Sequence, residues 1–389
     1  MMDKKAKILI FVNSLDSGTG TFAIQMLGLK KNFNIIVGAL EHKNRLVKQT
    51  GVKIYYFSSD ISHINYYSLG LPLFLQLLKE IKWVNKIVNR EHPQIILGTD
   101  LHSNLLAEIG KIFLRQNAKT ILTTHVNLPA VIERKVSGPL KRPLLLIGNY
   151  FYGKADAIVC VSGGVAGAVR KLFSFKRKII TIPYGLDARS IKIKSRDRVS
   201  KDEGTILKRK AIKRIISIGR FDAQKDFFTL IRAFKLVKKR LKDVELILLG
   251  DGYQRDELER LAQYLGLQSC IHFLGWKANV YPYIKRSDLL VLSSRYEGFG
   301  YVLLEAMSQG TPVVSTDAPF GPREVLDNGK YGILVPVGNV EKMAEAIIKL
   351  LKNKAIYKQY SQKSRERIKS YTQEKMLNSY RNLILNLLN

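Results

Sequence analysis

Short apolar runs alternate with longer amphipathic stretches along most of the chain. In the first half the runs predict strands at Lys7–Asn13, Phe33–Gly38, Gly51–Phe57, Gln94–Leu97, Lys119–Thr123, Ala157–Val161 and Lys178–Ile182. Helix-period text separates them, and several are apolar throughout rather than at every second position. Strands of that kind are buried on both faces, so the pattern predicts an α/β, Rossmann-like domain with a parallel sheet covered by helices. The turn Ile182-Pro183-Tyr184-Gly185-Leu186-Asp187 closes this half, and from Ala188 to Arg214 the text is charged and without clear period, as expected of a linker and loop. The alternation resumes with strands at Ile215–Ile218, Glu245–Leu249, Cys270–Leu274, Leu289–Leu292 and Thr311–Ser315, and a helix at Phe228–Lys238. The expected division is therefore residues 1–187, a basic connection at 188–214, and a second Rossmann-like domain at 215–370, with an apolar-periodic helix at Tyr371–Leu388 after it.

Composition narrows the partners. A chain of 389 residues with 46% hydrophobic residues has enough apolar mass for two cores, which excludes disorder, and its formal net charge is +32. Both halves are basic, so three readings stand: an anionic membrane surface, nucleic acid, or lysine favoured by genome composition. The basic connection lacks the aromatic interleaving of a nucleic-acid arm, and nucleic acid is not expected as a partner. Cys160 and Cys270 sit in separate apolar runs, as reduced thiols of a cytoplasmic protein would. The start, Lys4-Lys5-Ala6-Lys7 before Ile8–Val12, has too short an apolar core for a signal peptide and reads as a first strand. No apolar run is long enough to span a bilayer, so membrane contact would be peripheral, at the inner face.

Two stretches suit such contact. From Pro72 to Arg90, Phe74, Leu77, Leu78, Ile81, Val84 and Val88 form one helical face and Lys79, Lys82, Lys86 and Arg90 another. A solvated basic face explains this equally. From Leu128 to Lys154, Arg134, Lys135, Lys141 and Arg142 mix with Leu144-Leu145-Leu146-Ile147 and Tyr150-Phe151-Tyr152, a mixture used at interfaces.

Candidate chemistry gathers where strands end in glycine turns. Ser293 to Glu305 reads SSRYEGFGYVLLE: a strand, the loop residue Glu297, the turn Gly298-Phe299-Gly300, and a helix beginning near Tyr301 that carries Glu305. A helix start facing the strand end suits a phosphate. Gly18 and Gly20 form a similar strand, glycine loop and helix, but Ala23 and the lack of a clear acidic follower depart from a dinucleotide fingerprint, leaving a generic anion loop. Arg220 and Lys225 follow the strand at Ile215–Ile218; a guanidinium fork and a mobile ammonium together can neutralise a pyrophosphate. Gly250-Asp251-Gly252 reads as a turn. His125 stands at the mouth of the strand Lys119–Thr123, where parallel sheets place ligands, with structural and catalytic roles both open.

Taken together, Gly18-Thr19-Gly20, Ala155 to Ser162, the Pro-x-Gly-x-Asp turn at Pro183, Gly219-Arg220 with Lys225, Gly250-Asp251-Gly252 and Glu297 to Glu305 resemble the family 4 retaining glycosyltransferases of GT-B fold. The resemblance covers nearly the whole chain. It implies two Rossmann-like domains facing a cleft, with the acceptor on the first, a nucleotide-sugar on the second and the last helix (371–389) crossing back to the first. It implies that Arg220 and Lys225 bind the donor diphosphate, that Gly298, Phe299, Gly300 and Tyr301 present the N–H groups holding sugar and phosphate, and that Glu305 binds the ribose. Glu297 and His125 would stand by the transferred sugar, with Gly18 and Gly20 on the donor from the other side. No metal or other cofactor is expected: the fixed cations would carry the leaving group, and no clustered Asp-x-Asp ends a strand. Two departures stand out, Tyr184 where the turn often has asparagine and the absence of paired glycines in the first loop. Gly321-Pro322-Arg323-Glu324 is similar to members that transfer N-acetylhexosamines. The expected activity is transfer from a nucleotide-sugar, UDP-linked, to a glycan or lipid-linked acceptor in surface polysaccharide or lipopolysaccharide assembly. A nucleotide-sugar epimerase of the same fold and a non-enzymatic basic membrane- or nucleic-acid-binding protein are the rivals.

Overall fold

The computed structural model describes residues 5–15, 18–41, 51–57, 71–115, 117–135, 141–173, 179–208 and 211–389. Asp16, Ser17, His63, Lys178 and the side chains of Arg134, Lys135, Lys141, Arg142 and Leu144 lie outside that description. The chain divides into two units, residues 1–183 with 375–389 and residues 184–374.

Unit 1 is built on a parallel sheet of β1 (Lys7–Val12), β2 (Asn34–Ala39), β3 (Lys53–Tyr56), β4 (Ile95–Gly98), β5 (Lys119–Thr124), β6 (Ala157–Cys160) and β7 (Ile179–Thr181). The order is β3-β2-β1-β4-β5-β6-β7, with Ile8 level with both Ile35 and Ile95. Residues 8–12 and 95–98 are fully or nearly fully buried, which is why these strands carry no polar alternation. The order reverses beside β1 and β4, so the crevice of this unit opens at their carboxyl ends. Helix Gln373–Leu388 closes one side: Tyr380 packs on Phe22 at 5.5 Å between ring centroids, and Leu377 lies against Gly28.

The apolar face of helix Leu71–Glu91 is divided along its length. Val84 and Val88 are in the core, but Phe74 and Leu78, which periodicity puts on the same apolar face, are exposed. The cause is length. A helix of 21 residues is about 31 Å long, whereas a strand of four to six residues spans only about half that, so its first turns overrun the sheet.

Unit 2 repeats the plan with β8 (Lys213–Ile218), β9 (Val244–Leu249), β10 (Ile271–Phe273), β11 (Leu289–Leu292), β12 (Val313–Thr316) and β13 (Ile333–Val335), in the order β10-β9-β8-β11-β12-β13. Its core joins Phe221, Phe227 and Phe234 to Leu246, Leu248 and Val291, under helices Phe227–Arg240 and Val340–Lys352. The strand β13, three apolar residues ending before Pro336, is too short to register as an apolar run. The stretch expected to be linker and loop is largely helical, at Ala188–Lys194 and Lys201–Lys208. Asp187 starts the first of these by accepting from Ser190 N at 3.0 Å, and Ile191 anchors it in the interior, a single buried position that leaves no periodic trace.

Candidate active site

The loop after β8 is shaped by close backbone approaches. A Cβ on Gly250, whose φ is +141°, would lie 1.8 Å from the Gly219 carbonyl oxygen, and one on Gly252 2.4 Å from that of Phe221. The Gly-Asp-Gly segment is thus a bracket holding the β8 and β9 exits together, more than a turn. We expect Gly250→Ala to destabilise the protein by at least about 2 kcal/mol, read as a lower urea midpoint with an unchanged slope.

Within the loop, the buried Asp222 organises the two cations. Its Oδ2 accepts from Arg220 Nε at 2.8 Å, and its Oδ1 accepts from the backbone N–H groups of Gln224 at 3.0 Å and Lys225 at 3.2 Å. The Arg220 side chain is otherwise largely exposed. Asp222 was overlooked by the sequence reading, although an aspartate two and three residues before those N–H groups is an Asx-turn signal.

The exit of β11 meets this loop. Lys225 Nζ lies 2.6 Å from Glu297 Oε1, and Ser294 Oγ donates to the same oxygen at 2.7 Å. Ser293 Oγ donates to the Lys225 carbonyl at 2.7 Å, and Arg295 N donates to that of Gln224 at 2.8 Å. Lys225 and Glu297, 72 residues apart in sequence, are therefore a mostly buried ion pair at adjacent strand mouths. On its far side the glutamate loop is tied to the segment after β12: Glu297 N donates to Pro319 O at 2.7 Å and Phe320 N to Glu297 O at 3.1 Å. Gly321 fits there because a Cβ would fall 2.1 Å from Phe299 Cα.

Gly300, at φ +85°, starts helix Tyr301–Ser308 and has no side chain to cap it. The helix start keeps its partial positive charge for whatever sits beyond β11. Phe299 is buried, with Tyr184 at 5.4 Å and Tyr371 at 5.7 Å between ring centroids; Tyr184 also meets Tyr301 at 5.2 Å. The tyrosine that departs from the family turn is thus packing behind the glycine loop, and burial raises its phenol pKa. One turn along the helix, burial pushes the Glu305 carboxyl up to about 7, against a hydrogen bond from Tyr281 that favours the anion. Tyr281 itself is raised by burial and by that carboxylate.

Unit 1 has its own assembly. Gly20 is required where it stands, since a Cβ would come within 2.4 Å of the Leu15 and Ser14 carbonyl oxygens, whereas one on Gly18 would meet nothing. His125, just past β5, is buried; its Nε2 is 2.7 Å from Thr123 Oγ1, its ring 4.7 Å from that of Phe22. Burial holds it down at about 3, so the imidazole is neutral at physiological pH. The expected site residues fall into two groups: Arg220, Lys225, Glu297, Gly298, Phe299, Gly300, Tyr301 and Glu305 at the carboxyl ends of β8 and β11 in unit 2, and Gly18, Gly20 and His125 in unit 1. Among the described residues no cluster of three His, Cys, Asp or Glu side chains is placed to hold a metal, and no helix is long and apolar enough to cross a membrane.

Two parallel-sheet units with ligand-ready loops at their switch points are the GT-B plan, and solved structures share it. HepE of Anabaena, solved with UDP and glucose, aligns over 98% of this chain and 100% of its own with a TM-score of 0.80 at 18% identity. Sucrose-phosphate synthase of Thermosynechococcus elongatus aligns over 99% of both chains with a TM-score of 0.81 at 19% identity. In sequence, residues 200–375 match the model described as glycosyl transferases group 1, and residues 40–190 the one described as glycosyltransferase family 4. An uncharacterised glycosyltransferase of Methanocaldococcus jannaschii is 30% identical over 79% of this chain and 83% of its own length. A Campylobacter jejuni transferase, named for adding 4-alpha-N-acetylgalactosamine to a diphospho-undecaprenol-linked sugar, is 31% identical over 70% of this chain and 71% of its own. The chain belongs to glycosyltransferase family 4, and it is a transferase of glycosyl groups.

Proposed function

We propose that the protein transfers a sugar, with retention of anomeric configuration, from a UDP-sugar to a glycan or lipid-linked acceptor in surface-polysaccharide assembly. The observation that carries this reading is the Lys225–Glu297 pair beside Arg220, at the mouth of β11 where helix Tyr301–Ser308 begins. Expelling a nucleoside diphosphate from an anomeric carbon needs fixed positive charge where the leaving phosphate collects negative charge, and these groups supply it without reorganisation. In the resting protein Glu297 neutralises Lys225. An arriving diphosphate competes for the ammonium, which frees the carboxylate to face the sugar as its ring becomes cationic. The Glu305 carboxylate accepts from the ribose hydroxyls, and Arg220, held through its Nε by Asp222, faces the phosphates. The leaving phosphate accepts the acceptor's proton during front-face attack. Within unit 1, neutral His125 would offer a ligand hydrogen bonding without charge. The Campylobacter relative and the Gly321-Pro322-Arg323-Glu324 text support an N-acetylhexosamine as the sugar.

A nucleotide-sugar panel tests the donor. UDP-linked donors at about a hundred times their dissociation constant should stabilise the protein by about 2.7 kcal/mol, a melting shift of several degrees, with smaller effects from GDP- or ADP-linked ones. Equal shifts with every base, or none, would defeat the reading. Conversion of a donor to its epimer without acceptor would establish the epimerase instead.

A further inference from the structure

In unit 1 the pairing of β4 with β5 ends where Gly98 lies level with Leu122. At the next residue, Thr123, the backbone is held by a side chain from helix Leu101–Phe113: Asn104 Oδ1 accepts from Thr123 N at 3.2 Å, and Asn104 Nδ2 donates to Thr123 O at 3.0 Å. The amide cannot be turned over, because a carbonyl only accepts and a backbone N–H only donates. Gly98 makes this grip possible, since a Cβ there would fall 2.3 Å from Asn104 Oδ1. Thr123, Asn104 and His125 are all buried, so their polar atoms depend on partners within the protein.

The Thr123 hydroxyl faces two groups. Its Oγ1 lies 2.8 Å from the Gly98 carbonyl oxygen and 2.7 Å from His125 Nε2. A hydroxyl has one hydrogen, and the carbonyl can only accept it. The contact with the imidazole must therefore run the other way, from a protonated Nε2 to Oγ1. Burial keeps the ring neutral, so its one N–H is on Nε2 and Nδ1 carries a lone pair.

We propose that Thr123 is a positioning residue that fixes His125 as its Nε2-protonated tautomer, and that the ring therefore meets a bound carbohydrate as an acceptor, at Nδ1. Its partner is a group with a hydrogen to give, a hydroxyl or an acetamido N–H, and not a carbonyl or carboxylate oxygen. A ring in this state cannot act as a general acid toward that ligand. With the proton on Nδ1 instead, Thr123 would have one hydrogen for two acceptors, leaving either the Gly98 carbonyl or Nε2 unpaired in the interior, which selects against that tautomer. Phe22, its ring centroid 4.7 Å from that of His125, restrains the tilt of the imidazole. That the ligand is a carbohydrate rests on the proposed transfer; the tautomer does not.

Two-bond nitrogen–proton NMR of the full chain, labelled at histidine, reads the tautomer directly, with the His125 signals identified by their loss in His125→Gln. The parent should show a protonated Nε2 and an unprotonated Nδ1. The reverse pattern overturns the proposal with no further variant needed. Thr123→Val keeps the side-chain shape and removes the hydroxyl. Its His125 signals should move to a mixture of tautomers or to the Nδ1-protonated form, and the single-turnover rate of transfer, from whichever UDP-sugar stabilises the chain most, should fall about tenfold, the effect of one misplaced hydrogen bond. Thr123→Ser restores the hydroxyl and should return both the tautomer and the rate to those of the parent. A Thr123→Val protein with the parent's tautomer overturns the locking role, and a switched tautomer with undiminished transfer overturns the ligand contact. A rate that falls equally in Thr123→Ser assigns Thr123 to packing and also defeats the proposal. A parent that responds to no UDP-sugar counts against the donor reading alone, and the spectrum still decides the tautomer.

Discussion

Lys225→Met is expected to lower the single-turnover rate of sugar transfer by at least about a hundredfold, the usual cost of removing one preorganised charge donor from a developing oxyanion. Methionine keeps the apolar stem, which lies against Gly219, so the loop after β8 should hold its shape. The loss has two possible sources. Lys225 either neutralises the leaving diphosphate or merely keeps Glu297 paired, since the two are 2.6 Å apart and the carboxylate is mostly buried. The double variant Lys225→Met, Glu297→Gln separates them. If the ammonium acts on the phosphate, the double variant is as slow as Lys225→Met or slower; if it only balances Glu297, removing that charge restores the rate. Restoration would overturn the assigned role, and Glu297→Gln alone measures what the carboxylate itself contributes.

How much of this was legible beforehand follows from what each feature needs. Both sheets could be read because strands buried on two faces leave continuous apolar text, as Ile8–Val12 and Leu289–Leu292 do. The strand mouths could be read because glycine at Gly300 and Gly250 marks backbone that other residues rarely adopt. What escaped was whatever depends on tertiary approach. Asp222 and Ser294 are ordinary residues until the exits of β8 and β11 lie side by side, when one organises the cations and the other holds Glu297. Tyr281 faces Glu305 from a helix 24 positions earlier, a separation no local pattern reports. The overrun of helix Leu71–Glu91 is also tertiary, because periodicity identifies an apolar face but not where the sheet beneath it stops. The helices at Ala188–Lys194 and Lys201–Lys208 show the opposite case, local structure set by a cap and one anchor in text too charged to suggest it.

Glu305 gives the second large effect, in pH dependence. Its carboxyl is raised from 4.5 to about 7 by burial. In the absence of ligand the folded protein therefore binds more protons than the unfolded chain between pH 4.5 and 7, so this group's contribution to stability is full below that window and is lost as pH rises through 7. That pKa difference sets a ceiling of about 3 kcal/mol, and the side chain is partly exposed, so the measured loss should be a fraction of it. Donor binding runs the other way. A carboxylate that accepts from two ribose hydroxyls must be ionised, so UDP-glucose, whose diphosphate has no free terminal phosphate to titrate, should bind about tenfold more tightly at pH 8 than at pH 6. Calorimetry near pH 7 in buffers of different ionisation enthalpy should show a substantial fraction of one proton released per donor bound. Glu305→Gln should remove both the pH trend and the proton release, with affinity at pH 8 reduced because an amide accepts at only one of its two positions. A variant that keeps the parent's pH trend would locate the titrating group elsewhere and leave Glu305 with a packing role alone.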